Sequence, residues 1–236
     1  MQLAEKRAQL AAEIPARYPG TLHFVAINVA SLAAIVACLA LLRSPSPWML
    51  AWLPGFFLFA NLVEWAVHRG PMHRSRPGRV ARALYERHAC QHHVMFTHER
   101  MEIAGPAELK LVLFPWYVFP LLMLVTSPVP LALGLLISPD HALLFLASCV
   151  AYYLVYEWLH TLHHWPQATW IGRRRLVALL RRHHTLHHDP RLMTRGNFNV
   201  SFPLADWLLR SSLSAASSSE PPRHDPERPA RALMGA

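Results

Sequence analysis

The chain is poor in charge and in cysteine. Only 16% of its 236 residues are charged while 53% are apolar, which is rich in hydrophobic residues for a soluble domain. Acids are the scarcer sign: 14 Asp and Glu stand against 23 Lys and Arg, a net charge of +9. Of the three cysteines, Cys38 and Cys149 lie in apolar runs and Cys90 sits among histidines. With no CxxC pair, nothing matches an iron–sulfur or zinc-finger framework, and the cysteines say nothing about disulfides. Residues 1–20 have no short apolar region followed by a small-residue cleavage site, so they do not read as a cleaved signal peptide. There is no solenoid-type repeat.

What fills the chain is long apolar runs. Thr21 to Leu42 (TLHFVAINVASLAAIVACLALL) carries no charge, and about 20 such residues in a helix cross a bilayer core. Trp48 to Val67 is a second span, with Trp48 and Trp52 suited to one interface and Glu64 near the opposite end. Leu109 to Val125 is a third, kinked at Pro115 and Pro120. Ser138-Pro139-Asp140 is a helix start, serine as N-cap and proline at the first helical position. It predicts a fourth span over Pro139 to Leu159, unless a longer helix begins near Pro130. The expected fold is all-α, an integral membrane protein of about four transmembrane helices. Residues 1–20 are an amphipathic lead whose helix ends at Pro15, 21–210 the membrane domain, and 211–236 a Ser/Pro/Arg-rich disordered tail.

A strongly basic chain invites a nucleic-acid reading, which the placement of the charges removes. Lys6, Arg7 and Arg17 precede the first span, eight Lys/Arg lie between Arg69 and Lys110, and eleven follow from Arg173. Arg43 alone falls on the other side. Four spans with both termini and the histidine-rich segments in the cytoplasm satisfy the positive-inside rule. The excess therefore reports topology and contact with anionic headgroups, Arg181 and Arg182 included, not nucleic acid.

Fourteen of sixteen histidines fall between positions 68 and 188, in four groups: His68 and His73; His88, His92 and His93; His160, His163 and His164; His183, His184, His187 and His188. Residues three and four apart share a helix face, so His88/His92, His160/His164 and His184/His187/His188 can each converge on a point. Adjacent pairs such as His92/His93 and His187/His188 diverge by about 100° on a helix and can serve two neighbouring metals. The first and third groups end spans at one membrane face, and the second and fourth can fold over it as a helical cap. Ten or more convergent histidines suit two metals, each with an open position. Isolated His23, His98, His141 and His224 read as interfacial or solvated side chains.

At these residues the sequence resembles the fatty acid hydroxylase / sterol desaturase superfamily of membrane di-iron oxygenases. The likeness runs from about Asn61 to Leu209, through HRGPMH, HACQHH, EWLHTLHH, HHTLHHDP and NFNVSFPLADWLL. It is closest to the fatty acid 2-hydroxylases, although the second motif here is HxxxHH where they usually have HxxHH. The resemblance implies metal ligands at His68, His73, His88, His92, His93, His160, His164, His184, His187 and His188, with His163 and His183 beside the pattern. It implies two iron ions, which zinc can replace on overexpression, O2 as co-substrate, and hydroxylation of a lipid, most simply a fatty acyl chain. Desaturation, or hydroxylation of a sterol or carotenoid, uses the same ligand set. The cytochrome b5 domain fused to some members is missing, so electrons are expected from a separate ferredoxin- or cytochrome b5-like donor with its reductase.

Carboxylates are expected to support the site rather than to bind metal. Glu64 precedes His68 by four residues and Glu157 precedes His160 by three, positions from which each can accept an imidazole N–H and fix its tautomer. Asp189 and Asp206 are weaker candidates for that role, and His163 is expected beside the ligands. The rival function, a histidine-rich metal transporter or metal-sequestering protein, needs polar ligands inside the spans, where this sequence has few.

Overall fold

The computed structural model of the protein describes residues 3–214. Among them the regular structure is helical, with no strand. Helix α1 (Leu3–Glu13) leads into α2 (Gly20–Ala40), whose 21 uncharged residues extend about 32 Å, enough for a bilayer core of about 30 Å. Its outward face, Val25, Val29, Leu32 and Val36, is exposed and apolar, as a lipid-facing stripe must be. A 3-10 turn capped by Ser46 precedes α3 (Leu53–Val67), which runs back toward the end where α2 began. Together with that turn and the turn after it, α3 gives an apolar stretch over Pro47–Met72.

The third span differs from its expected bounds. Leu109–Val112 is a single buried turn, and Leu113 after it is extended ahead of Pro115. The membrane helix is a bent pair, α5 (Val118–Thr126) and α6 (Pro128–Leu136), meeting at 42°. Pro128 and Pro130 sit in the first turn of α6, where a missing N–H costs least. Then α7 (Pro139–His164) starts as the sequence predicts, Ser138 accepting from His141 N, but runs on to His164. Three helices, or four with the bent pair counted as one span, are long and apolar enough to cross a membrane.

Helix α7 is the central post, packed by α2, α3 and α6. At one end Arg43 N and Ser44 N donate to the Asp140 carboxylate at 3.0 and 2.8 Å. At the other end, where α2 begins, Gly20 lets two segments touch: a Cβ there would lie 1.9 Å from Pro106 O. This second end carries the histidines, on the last turns of α3 and α7, on the segment after α4 (Arg79–Tyr85), and on α8 (Arg175–His187). A core of Met95, Phe96, Ile103, Leu109, Leu111 and Leu113 lies beneath them, and Ile14 from the N-terminal lead joins it.

The chain closes with a segment that folds back along α3 and ends in the short helix α9 (Leu204–Leu208). Phe202 reaches Phe57, ring centroids 5.7 Å apart, three turns below His68. Non-helical backbone at membrane depth needs every polar group paired by protein. Asn61 provides this, donating to Tyr152 OH and Phe202 O and accepting from Ala205 N. The order continues past Leu209: Ser211 O accepts from Asn197 N, and Leu213 N donates to Asn197 Oδ1. Residues 211–213 therefore belong to the folded domain and not to the tail. The rest of the tail, from 215, lies outside the described residues.

Candidate metal centre

Nine histidines fall into two buried groups. His68, His73, His88, His93 and His187 form the first; His92, His164, His184 and His188 form the second, the candidate ligand atoms within each group lying within 4.8 Å of one another. His160 stands beside the second group, its Nε2 3.3 Å from that of His92. All ten residues of the expected set thus meet at one place. The groups adjoin: the rings of His93 and His188 stack with centroids 4.2 Å apart.

The division does not follow simple i, i+4 helix spacing. His88 and His92 separate into different groups because Glu86–His92 is a wider, π-type turn. Its i→i+5 pairing superimposes residues five apart, which brings His88 to His93. A second such turn over His68–Met72, broken at Gly70, does the same for His68 and His73. The adjacent pairs divide as a regular helix would have them, His92 from His93 and His188 from His187.

Backbone carbonyls, not carboxylates, orient the rings. Nδ1 donates to Leu111 O in His92 (2.9 Å), Met101 O in His164 (2.7 Å), Gly196 O in His187 (3.0 Å) and Phe96 O in His188 (2.7 Å). In His68 it donates to Phe198 O. A carbonyl only accepts, so in a neutral ring the lone pair is left on Nε2. Burial first, then neighbouring imidazoles, hold His73, His88, His92, His93, His184, His187 and His188 well below the ordinary histidine pKa. These rings are neutral at pH 7.

That tautomer makes the centre electrostatically incomplete as bare protein. The Nε2 atoms of His92 and His188, both lone-pair bearing, lie 3.2 Å apart. His73 and His187 (2.9 Å) and His164 and His184 (3.3 Å) are also in Nε2 contact, but there His73 or His184, whose Nδ1 meets no carbonyl, can donate from Nε2. Two acceptors in contact repel unless a cation lies between them. Nitrogens each about 2.0–2.1 Å from one tetrahedral metal are separated by about 3.4 Å, so small inward or outward ring movements suffice. The donor set fits transition metals that accept imidazole.

The expected carboxylate contacts are replaced by others. Glu64 does not meet His68, whose Nδ1 is taken by Phe198 O. It accepts from Val200 N, Ser201 N, Ser201 Oγ and Tyr152 OH, and so pins the segment that carries the carbonyl. Glu157 accepts from Phe114 N, and Asp189 is bound by Arg191; neither bonds to an imidazole. His163 is buried but belongs to neither group, and neither of its ring nitrogens has a partner. His183 faces Asp206 at 3.2 Å, the one expected acid that meets a histidine, although not one of the ten.

Two supports act in ways the sequence did not indicate. Arg181, expected among the membrane-facing charges, is buried and donates to the carbonyls of Leu162, His163 and Trp165. It caps the end of α7 that bears His160 and His164. Asp206 accepts from Phe198 N and Asn199 N at 3.0 and 2.8 Å. These bonds, with those from His183 and Ser211, outweigh burial and keep its pKa below the usual carboxylate value. Gly196 is obligatory, since a Cβ there would lie 2.0 Å from Ser211 O.

A family model described as fatty acid hydroxylase matches residues 53–211. The chain belongs to that family. The match takes in every histidine of both groups and the closing segment. Among solved structures, this chain resembles one described as full-length scs7p with only its hydroxylase domain visible. The two share 18% identity over 85% of this chain and 67% of that one, with a TM-score of 0.58, which speaks to a common fold. No curated protein matches the chain.

Beside the centre is a cavity of about 290 Å³ between α3, α5 and α7, walled by side chains such as Val63, Val67, Leu121, Leu122 and Met123, with His68 at one end. It adjoins a small space of about 20 Å³ lined by His88, His92 and His160. The two share Met72, Leu84, Phe114, Val118 and Tyr156 as walls.

Proposed function

We propose that the protein is a membrane oxygenase that hydroxylates a C–H bond of a lipid acyl chain at two iron ions. His68, His73, His88, His93 and His187 would hold one, and His92, His160, His164, His184 and His188 the other. The observation that carries this reading is the apolar cavity leading to a space lined by histidines of both groups. A long hydrocarbon is the ligand such a wall selects, since it offers almost nothing to hydrogen-bond.

Iron, when bound by these histidines, would supply the reduction of O2, in which one oxygen atom would enter the C–H bond and the other would leave as water with two protons and two electrons. The protein's residues do the rest. The carbonyls of Phe96, Met101, Leu111, Gly196 and Phe198 fix five rings with Nε2 inward, a preorganised donor set. The cavity between α3, α5 and α7 aligns the chain and excludes water. The two electrons come from a separate ferredoxin- or cytochrome b5-like protein. Among the described residues, Arg43 alone of the Lys and Arg side chains lies at the end away from the histidines, which supports a cytoplasmic centre by the positive-inside rule.

Lipid extracts from cells expressing the chain, compared with cells expressing His184→Ala, test the reaction. A lipid heavier by one oxygen atom is expected with the parent chain only. Loss of two hydrogens instead would mark a desaturase on the same scaffold. Unchanged lipids, from protein carrying two metals and supplied with a reductant, would overturn the reading.

A further inference from the structure

His163 is wholly buried, and neither of its ring nitrogens has a partner. It lies in the HTLHH run between His160 and His164 yet joins neither histidine group. The ring of His184 stands beside it, also wholly buried and also with Nδ1 unpartnered. Their centroids are 5.0 Å apart and their planes tilted by 37°. Ring pairs in this cluster whose nitrogens do meet have similar spacing, 4.5 Å for His184 with His188 and 5.3 Å for His184 with His164. A turn of the His163 ring therefore suffices to bring one of its nitrogens to His184 Nδ1.

Ligation supplies the reason for that contact. A neutral imidazole has one N–H and one lone pair. His184 Nε2 lies 3.0 Å from His188 Nε2 and 3.3 Å from His164 Nε2, and those two rings keep their protons on Nδ1, facing Phe96 O and Met101 O. Without metal, then, His184 carries its proton on Nε2 and donates to them. To act as a ligand through Nε2 it must carry the proton on Nδ1 instead, where a buried N–H requires an acceptor. The other rings within 5.3 Å, His160, His164 and His188, are themselves assigned to the metal. Resting on that assignment of the second iron site, we propose that His163 is a positioning residue that accepts a hydrogen bond from His184 Nδ1 when the second group is loaded. It fixes the His184 tautomer and is not itself a ligand.

Zinc binding by the full chain in detergent, measured by chelator competition, tests this. The parent chain is expected to bind two zinc ions. His163→Leu, which fills the space without an acceptor, is expected to hold one of them roughly 10- to 100-fold more weakly, as when a ligand loses its outer partner, and the other unchanged. His163→Gln, which restores an acceptor oxygen, is expected to recover most of that loss. Metal-free His163→Leu is expected to melt no lower than the parent, because the contact is made only with metal bound; a merely structural role would lower it. Parent-like affinity for both ions in His163→Leu overturns the proposal, and so does an equal loss in His163→Leu and His163→Gln. Should His163→Leu fail to fold, NMR of isotope-labelled histidine decides: zinc loading of the parent should add an N–H signal at His184 Nδ1 that His163→Gln displaces, and its absence overturns the proposal. A parent chain that binds fewer than two zinc ions overturns the two-metal reading and this proposal together, whereas any of the other contrary results, with two ions bound to the parent, overturns this proposal alone.

Discussion

The two histidine groups are built from similar parts and held in different ways. In the second group, three rings are oriented by the carbonyls of Phe96, Met101 and Leu111, all on one stretch of cap that lies over the Phe96–Leu113 core. In the first, His68 and His187 are oriented by Phe198 and Gly196, both on the closing segment. That segment has little regular structure and is kept in place by Glu64, Asn61 and Asp206. One group thus inherits its geometry from a packed core, the other from a polar strap across a membrane helix.

What the groups share gives the largest expected effect. His73, His88, His92, His93, His184, His187 and His188 all have depressed pKa values in the fold, so they stay neutral while the unfolded chain takes up protons below about pH 6.5. Stability is therefore full above that pH and falls as pH drops, by about 1.4 kcal/mol per unit for each such group. Metal-free protein in detergent should melt progressively lower between about pH 6.5 and 5, and bound metal should move the loss to lower pH. A melting temperature flat across that range would mean the rings are not held neutral.

The strap gives the effect that separates the groups. Asp206→Ala strips two buried backbone N–H groups and the Ser211 hydroxyl of their acceptor, at about 1–3 kcal/mol for each donor left unpaired. Elemental analysis of this variant should find one metal per chain instead of two, because His68 and His187 lose their orientation and the second group does not. Asp206→Asn, which keeps one acceptor oxygen, should retain more of the first metal. If both metals leave together, or both stay, the two groups are not independently supported.

Much of this centre could be read from residue types, and what could not has a physical reason. The ten histidines were visible as clusters, because imidazoles at short spacing on apolar helix ends have few other uses. Their partition was hidden: whether His88 turns toward His92 or His93 depends on one extra residue in a turn, and π-type turns leave no reliable mark. The orienting groups were hidden more deeply. Every residue has a carbonyl, so nothing distinguishes Phe198 or Leu111 in advance, whereas Glu64 looked like a partner for His68 from helix spacing alone. Its role came from a segment more than 130 positions away. The third span failed similarly, since Pro115 and Pro128 are both compatible with a membrane helix and only packing against α7 chose the second.

The smallest expected effect concerns the second group's counterpart to the strap. Glu108 accepts from Ala104 N at 2.8 Å and lies 3.8 Å from Arg100, tying together the loop that presents Met101 O to His164. It resembles Asp206 in function but not in setting, for Arg100 is 43% exposed and such pairs are worth under about 1 kcal/mol. The loop is also held by the backbone, with Ile103 N donating to His164 O at 2.8 Å, so Met101 stays in place without the acid. Glu108→Gln should therefore shift stability by less than about 1 kcal/mol and keep two metals per chain. Loss of one metal from this variant would show that the second group, too, depends on a polar tie, and the contrast between core and strap would fall.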